Sequence, residues 1–413
     1  MIKNKFINKY ISKHINYILL IIIIIIILPI CYYSYFYYFN KLESFTDYIF
    51  ANKDIKYYRC QDKLLGKITQ SIFDEYNIIN SNENWDLYYP CGYNNVEKEL
   101  KGIQITDNYE NIDSNKELKK NNINAKFIFG INGCDRIVSK NNLWTLLEKC
   151  YGREKASKLI PESFVLNNNE QLNLLKKNFY KNKNNIYILK KNVQRKEGLK
   201  LTRNLDEIIY AKWEGYMIAQ KYMSDVYLIN NRKVNLRIYV LIMIKNNKIH
   251  FYVSRKGKCI YTNKEYNDND FDFETNITSY NLDMSVYEKN PRFFEELIQY
   301  INKNNGEGQG QKLFEKINNI LMNIFKCIAR NIYQSKNIAG SVTFQLFGID
   351  VIFNKNLDPY LLEFNKGPDM QGRDEMDEKM KTTVQTDMFK TVGVLNNNDN
   401  TNNSFYLLYN KDM

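Results

Sequence analysis

The chain has 413 residues, a formal net charge of +12, 44% hydrophobic and 25% charged residues, the composition of a globular protein with room for two or three subdomains. Only two histidines occur, His14 and His250, and the seven cysteines include no CxxC pair. A Ser-His-Asp site, a His-metal centre, a zinc site and a disulfide framework are therefore all disfavoured. Chemistry has to run on carboxylates, lysines, arginines and a bound ion, and the positive charge suits an acidic partner.

Residues 1–16 read as a short basic tail. Residues 17–39, YILLIIIIIIILPICYYSYFYYF, carry no charge and, at ~1.5 Å per residue, are long enough to cross a bilayer. The sequence thus predicts a transmembrane helix and a single-pass membrane protein. Residues 40–125 mix short helical and strand-like pieces around Trp85, Tyr88, Tyr89 and Pro90, then turn polar from Asn108 to Asn124, and read as an N-terminal subdomain with a linker.

Residues 126–390 carry the main domain. KFIFGINGCDRIVSKNNLWTLLEKCYG predicts a strand, a glycine turn and a helix on which Leu143, Leu146 and Leu147 recur at helical spacing. Ile186 to Lys190 is a compact strand ending in lysine, followed by the basic turn VQRKEGLKLT. RIYVLIMI and KIHFYV flank Asn246-Asn247, the signature of a tight hairpin. Residues 303–311 read as a flexible loop, Leu313 to Tyr333 as an amphipathic helix, and 391–413 as a polar C-terminal tail.

The most informative stretch is 343–368, TFQLFGIDVIFNKNLDPYLLEFNKGP, two apolar strand-like runs meeting at a polar turn. Residues two apart on a strand share a face, so Glu363 and Asn365 point the same way, and a hairpin through Asn354 to Pro359 brings Asp350 beside them. Three oxygen-bearing side chains on one spot suit Mg²⁺ held against phosphates. Two half-buried strands with solvated polar residues are the competing reading.

In order and wording these elements resemble the tubulin tyrosine ligase-like family of the ATP-grasp fold, from about Lys126 to Phe389. YILKK resembles the family's strand ending in an ATP-contacting lysine, which implies that role for Lys190. AQKYMSDVYLINNRKVNLRIYVLI resembles its adenine segment and the Lys-Phe-Asp-x-Arg run that follows, implying that Gln220, Lys221, Tyr222 and Met223 line the adenine and that Lys233 and Arg237 face the nucleotide. The final hairpin resembles its Phe-(Glu/Gln)-x-x-Gly-x-Asp and Leu-x-Glu-x-Asn strands, implying Mg²⁺ ligation by Asp350, Glu363 and Asn365. Gly198 stands at the second glycine of Gly-x-Gly-Ile, and Thr278 in an ATP-binding loop.

The resemblance implies an α+β, ATP-grasp fold, a nucleotide between two mainly antiparallel sheets, with the smaller N-terminal α/β subdomain and the transmembrane helix ahead of it. It also implies an ATP- and Mg²⁺-dependent ligase joining a free amino acid (Glu, Tyr or Gly) to an acidic protein tail, tubulin or similar, through an acyl phosphate, with Arg237 and Lys190 catalytic and no nucleic-acid partner. The side of the membrane is undecided, since the lysines ahead of the span place the N-terminus in the cytoplasm whereas an ATP-using domain belongs in the cytosol. The chain departs from the family at Asn235, where an aspartate is expected, at Ile260, where an arginine is expected, and at Lys196, in place of the first glycine. Those departures keep two alternatives open: a pseudoenzyme that binds ATP or acidic tails, and an ATP-grasp ligase with another acceptor. Arg255 and Lys258 are the candidates to supply the missing positive charge.

Overall fold

The computed structural model describes residues 55–59, 64–82, 84–93, 96–103, 126–182, 184–192, 198–278, 282–333, 342–396 and 402–413. The strands are, in chain order, β1 (Lys56–Tyr58), β2 (Ile79–Asn80), β3 (Leu87–Tyr88), β4 (Phe127–Phe129), β5 (Ser163–Val165), β6 (Tyr187–Lys190), β7 (Leu199–Thr202), β8 (Ile218–Lys221), β9 (Leu228–Ile229), β10 (Arg232–Lys245), β11 (Lys248–Tyr261), β12 (Val342–Phe353), β13 (Pro359–Asn365) and β14 (Phe405–Asp412). They form a ten-stranded sheet with the order β14-β11-β10-β12-β4-β3-β1-β2, to which β13 and β9 add, and a four-stranded sheet, β5-β8-β6-β7.

The long hairpin β10–β11 is the spine of the large sheet. Asn246 and Asn247 both take left-handed φ, 51° and 57°, the conformation a two-residue turn needs to match strand twist, and Lys245 pairs with Lys248. Nearly every β10 residue is buried because both faces are covered. Ile238, Val240, Ile242 and Ile244 enter a core shared with helices Lys140–Tyr151, Phe294–Asn305 and Gln309–Ile328. Tyr239, Leu241 and Met243 enter a second core with helices Lys67–Glu75 and Glu375–Val392. There Phe344 packs against Phe129 at 5.1 Å and Phe389 at 6.5 Å between ring centroids.

The small sheet is antiparallel throughout. Leu189 and Tyr187 turn to the core under helices Asn169–Lys181 and Leu205–Tyr210, so period-two alternation turns Ile188 and Lys190 to the opposite face.

Several expectations are corrected. Residues 303–305 are helical and a new helix begins at Gln309, so 303–311 is a sharp helix–helix corner rather than a flexible loop. The amphipathic helix ends at Ile328 instead of Tyr333. The segment read as a polar tail contains β14, which pairs antiparallel with β11. A disulfide joins Cys150 to Cys327 across 177 residues, a pairing that scattered spacing conceals because it is made by two helices meeting in space. The expected membrane localisation is also overturned: no helix among the described residues is long and apolar enough to cross a membrane. Residues 17–39, on which that expectation rested, lie outside the described residues.

Phe344 is fully buried between aromatic neighbours, so Phe344→Ala is expected to destabilise the protein by about 3–5 kcal/mol. Tyr210→Ala, at an exposed position, should change stability by no more than about 0.5 kcal/mol. Denaturant unfolding of both variants checks the contrast.

Candidate active site

The register of the large sheet sets four charged residues in one row. Lys258 on β11 pairs with Arg237 on β10, Arg237 with Asp350 on β12, and Asp350 with Glu363 on β13. Paired residues share a face with strands roughly 4.8 Å apart, so two cations stand beside two carboxylates on one side of the sheet. Arg237 closes the middle of the row as a fork: its Nε donates to Asp350 Oδ1 at 2.6 Å and its Nη2 to Oδ2 at 3.2 Å. Gly348 makes room for this. A Cβ there would lie 3.2 Å from Arg237 Cδ and 3.0 Å from Pro368 Cβ, tight enough to push the guanidinium aside.

Glu363 accepts from Asn365 Nδ2 at 3.2 Å and pairs with Lys140 Nζ at 3.5 Å. The expected trio is thus together, and Lys140, at the start of helix Lys140–Tyr151, is a member that sequence reasoning missed. No local pattern marks it among so many lysines. Burial pushes the Asp350 carboxyl up. Burial opposes ionisation of Glu363 too, but Lys140, Lys190, Asn365 and Arg237 outweigh it and hold that carboxyl down. Two carboxylates and an amide oxygen are a hard-oxygen donor set of the kind Mg²⁺ takes, and all three lie on one face, so the residues fit such an ion.

The small sheet supplies the opposing wall. Lys190, Gln220 and Ile218 line one cleft with Lys140, Leu362 and Glu363, so the cleft runs between the two sheets. Burial pushes the Lys190 ammonium down to about 8, partly offset by Glu363. Lys233, on β10, is pushed down to about 7 by burial and then by Lys190, and its Nζ lies 4.1 Å over the Tyr222 ring.

The remaining expected residues are placed as follows. The Tyr222 hydroxyl donates to Asn276 Oδ1 at 2.9 Å, a bond that ties the residue after β8 to the short helix Phe273–Asn276. Thr278 Oγ1 accepts from Asn235 Nδ2 at 2.9 Å. Gly198 is buried and its carbonyl accepts from the Lys191 N–H at 2.8 Å, closing the β6–β7 hairpin. Gln220 spends its amide N–H groups on Ser163 Oγ and the Pro161 carbonyl, so its side chain braces β5. Lys221 is exposed and Met223 half-buried. Lys196 lies outside the described residues.

Asn235 stands between Lys233 and Arg237 on the same face, and its Oδ1 is buried without a partner. Of the two candidates for the positive charge missing at Ile260, Arg255 is excluded, since it lies over the Tyr406 ring at 4.6 Å with a long contact to the Asn403 carbonyl. Lys258 lines a second cleft with Arg237 and Ile260.

Fold and site together define a mixed α/β protein with a charged cleft between two sheets, in keeping with an ATP-grasp-like arrangement. The sequence profile of the Tubulin-tyrosine ligase family matches residues 117–402. The chain belongs to that family. It is 22% identical over 337 residues to the probable alpha-tubulin polyglutamylase Ttll1 of Tetrahymena thermophila, covering 75% of this chain and 78% of that protein. It is 25% identical over 181 residues to the probable tubulin polyglutamylase TTLL9 of Bos taurus, covering 42% and 38%, and 30% identical over 227 residues to tubulin glycylase 3D of Tetrahymena thermophila, covering 51% and 21%. The chain therefore spans well under half the length of the TTLL9 relative that it matches.

Because the depressed ammonium of Lys233 regains its proton beside an anion, inorganic triphosphate is expected to bind with proton uptake at pH 8. Affinity is full below about pH 7 and falls as pH rises, since the free protein then holds neutral lysine. Calorimetry between pH 7.5 and 9 in two buffers of different ionisation enthalpy measures this; pH-independent affinity with no proton uptake would count against it.

Proposed function

We propose that the chain is an ATP-dependent carboxylate–amine ligase that attaches an amino acid (Glu, Tyr or Gly) to an acidic protein tail, on tubulin or a similar acceptor, with residues 126–390 as its catalytic domain. The observation that carries this reading is the row Lys258–Arg237–Asp350–Glu363, with Lys233 on the same face of β10 and Lys190 lining the cleft with Glu363. Buried positive charge beside carboxylates suits a polyphosphate and its counter-ion. Membership of the tubulin-tyrosine ligase family and likeness to probable tubulin polyglutamylases and a tubulin glycylase support the acceptor class.

In this reading Asp350, Glu363 and Asn365 hold Mg²⁺, which when bound neutralises phosphate charge. Lys190 and Lys233 bind phosphate oxygens and offset their charge, and an anion beside them favours their charged forms against the burial that lowers their pKa values. Tyr222, Met223 and the backbone of Gln220 and Lys221 line the base, and Gly198 and Thr278 border the phosphates. Arg237 orients the acceptor carboxylate. The γ-phosphoryl group passes to that carboxylate, releasing ADP. The amine then attacks the acyl carbon, forming the amide as phosphate leaves with the electron pair and the amine gives up its proton. No nucleophilic side chain is needed, so positioning and charge neutralisation suffice.

A second reading, nucleotide or tail binding without ligation, draws on Asn235, whose amide has an unpartnered buried oxygen where a carboxylate is expected, and on Ile260. Incubating the full chain with Mg-ATP, tubulin and labelled amino acids separates the two. Incorporation of one amino acid is expected, and tight nucleotide binding with no incorporation into any acceptor would favour the second reading. Small-molecule acceptors in the same assay test ligation to a different acceptor. Glu363→Gln is expected to weaken Mg-ATP binding by at least about tenfold, or ~1.4 kcal/mol, whereas Ile260→Arg leaves it within about twofold; equal effects would count against the division of the site into nucleotide and substrate sides.

A further inference from the structure

The disulfide between Cys150 and Cys327 closes a circuit around the hairpin β12–β13, whose strands carry Asp350, Glu363 and Asn365. Cys150 lies in the last turn of helix Lys140–Tyr151, and the first residue of that helix, Lys140, pairs with Glu363 at 3.5 Å. Cys327 lies in the last turn of helix Gln309–Ile328. That second helix packs against β13, and its Lys316 reaches the turn between β12 and β13, donating to Asp358 Oδ1 at 2.7 Å and to the Leu357 carbonyl at 3.2 Å. One helix thus grips the hairpin at a carboxylate and the other at its turn. The disulfide joins the two grips.

The surroundings of the two sulfurs suit a bond that opens. Cys150 is half-buried whereas Cys327 is 1% exposed, so a thiolate from solution reaches the Cys150 sulfur and Cys327 is the leaving group. The Cys327 Sγ already stands 3.2 Å from the Leu146 carbonyl oxygen. A disulfide sulfur has no hydrogen to donate, but a freed thiol has one, and this carbonyl is in place to accept it. A hydrogen bond from the Tyr151 hydroxyl to the Asn323 carbonyl at 2.6 Å still links the two helices once the sulfurs part. The reduced state is therefore provided for in the fold.

We propose that Cys150 and Cys327 form a thiol–disulfide switch that sets nucleotide affinity through the position of Lys140. The reductant is a dithiol. Its thiolate attacks the Cys150 sulfur, the S–S bond breaks with its electron pair leaving on Cys327, and the dithiol's second sulfur then resolves the mixed disulfide. The protein takes up two electrons and two protons as two thiols, and the dithiol departs as a disulfide. Helix Lys140–Tyr151, no longer held at its end, passes any displacement to Lys140, ~15 Å away at ~1.5 Å per residue. The inference rests on the proposed function for the nucleotide and for the setting, since a ligase acting on tubulin works where thiols are kept reduced and disulfides are transient. Its test needs no turnover.

Affinity of the full chain for a non-hydrolysable Mg-ATP analogue is measured by calorimetry after air oxidation, after reduction with dithiothreitol and after reoxidation, with thiol titration at each stage. Reduction is expected to weaken binding about fivefold or more, and reoxidation to restore it. Because these three states share one sequence, the comparison does not depend on a variant folding. Cys150→Ser is expected to bind as the reduced wild type does in all three conditions, and Lys140→Gln, with the disulfide intact, to remove the difference between them. Cys91 is also disulfide-bonded, so a redox response that survives in Cys150→Ser originates elsewhere and overturns the proposal. Equal affinity of the oxidised and reduced wild type, a bond that excess dithiothreitol leaves closed, or a response that persists in Lys140→Gln does the same. A wild type that binds no nucleotide in any state overturns the switch and the nucleotide site together. Redox-dependent binding without incorporation of any amino acid upholds the switch and sinks the ligase reading alone.

Discussion

The Arg237–Asp350 fork is the contact on which the site depends. It joins the two central strands of the large sheet at the point where four strands are in register, and it fixes which charges stand beside which. A slip of one residue in any of those strands would turn its member of the row to the opposite face. The apolar neighbours guard against that slip, since Leu236 and Ile238 on β10 and Ile349 and Val351 on β12 are all buried in the core on the far side. Packing on one face therefore holds the charge pattern on the other.

The site is costly to keep buried, and its construction reflects this. Buried charges are tolerated when paired and hydrogen-bonded, and in the described residues Asp350, Glu363 and Asp377 each have a cationic partner. Lys190 and Lys233 are less well matched, which is why burial lowers them so far. The helix Glu375–Val392 links its parts, burying Met388 and Phe389 in the second core while Asp377 and Lys381 near its start reach the cleft.

Much of the fold was legible locally. The Asn246-Asn247 turn, the strand ending at Lys190 and the pairing of Asp350 with Glu363 all follow from two-residue periodicity and turn chemistry, which act over a few residues. Failures came where the signal was not local. KNNGEGQGQ has the composition of a loop, yet Gly306 and Gly308 adopt positive φ to turn a corner between two helices. FYLLYNKD reads as a polar tail until an exposed edge of β11 is available to pair with it. Cys150 and Cys327 carry no spacing signature because helix packing alone brings them together.

The sequence by itself determined the main strands and hairpins and the family, because strand alternation and short motifs encode a face and a turn without reference to the rest of the chain. Only the tertiary structure decided who partners whom. That Lys140 meets Glu363, that Gln220 braces β5 with its side chain, that Arg255 points away from the cleft while Lys258 lines it, are outcomes of two sheets and several helices meeting at given distances. In a chain this rich in lysine, charge type carries little information, and burial and geometry separate the cations that face the site from those that face water.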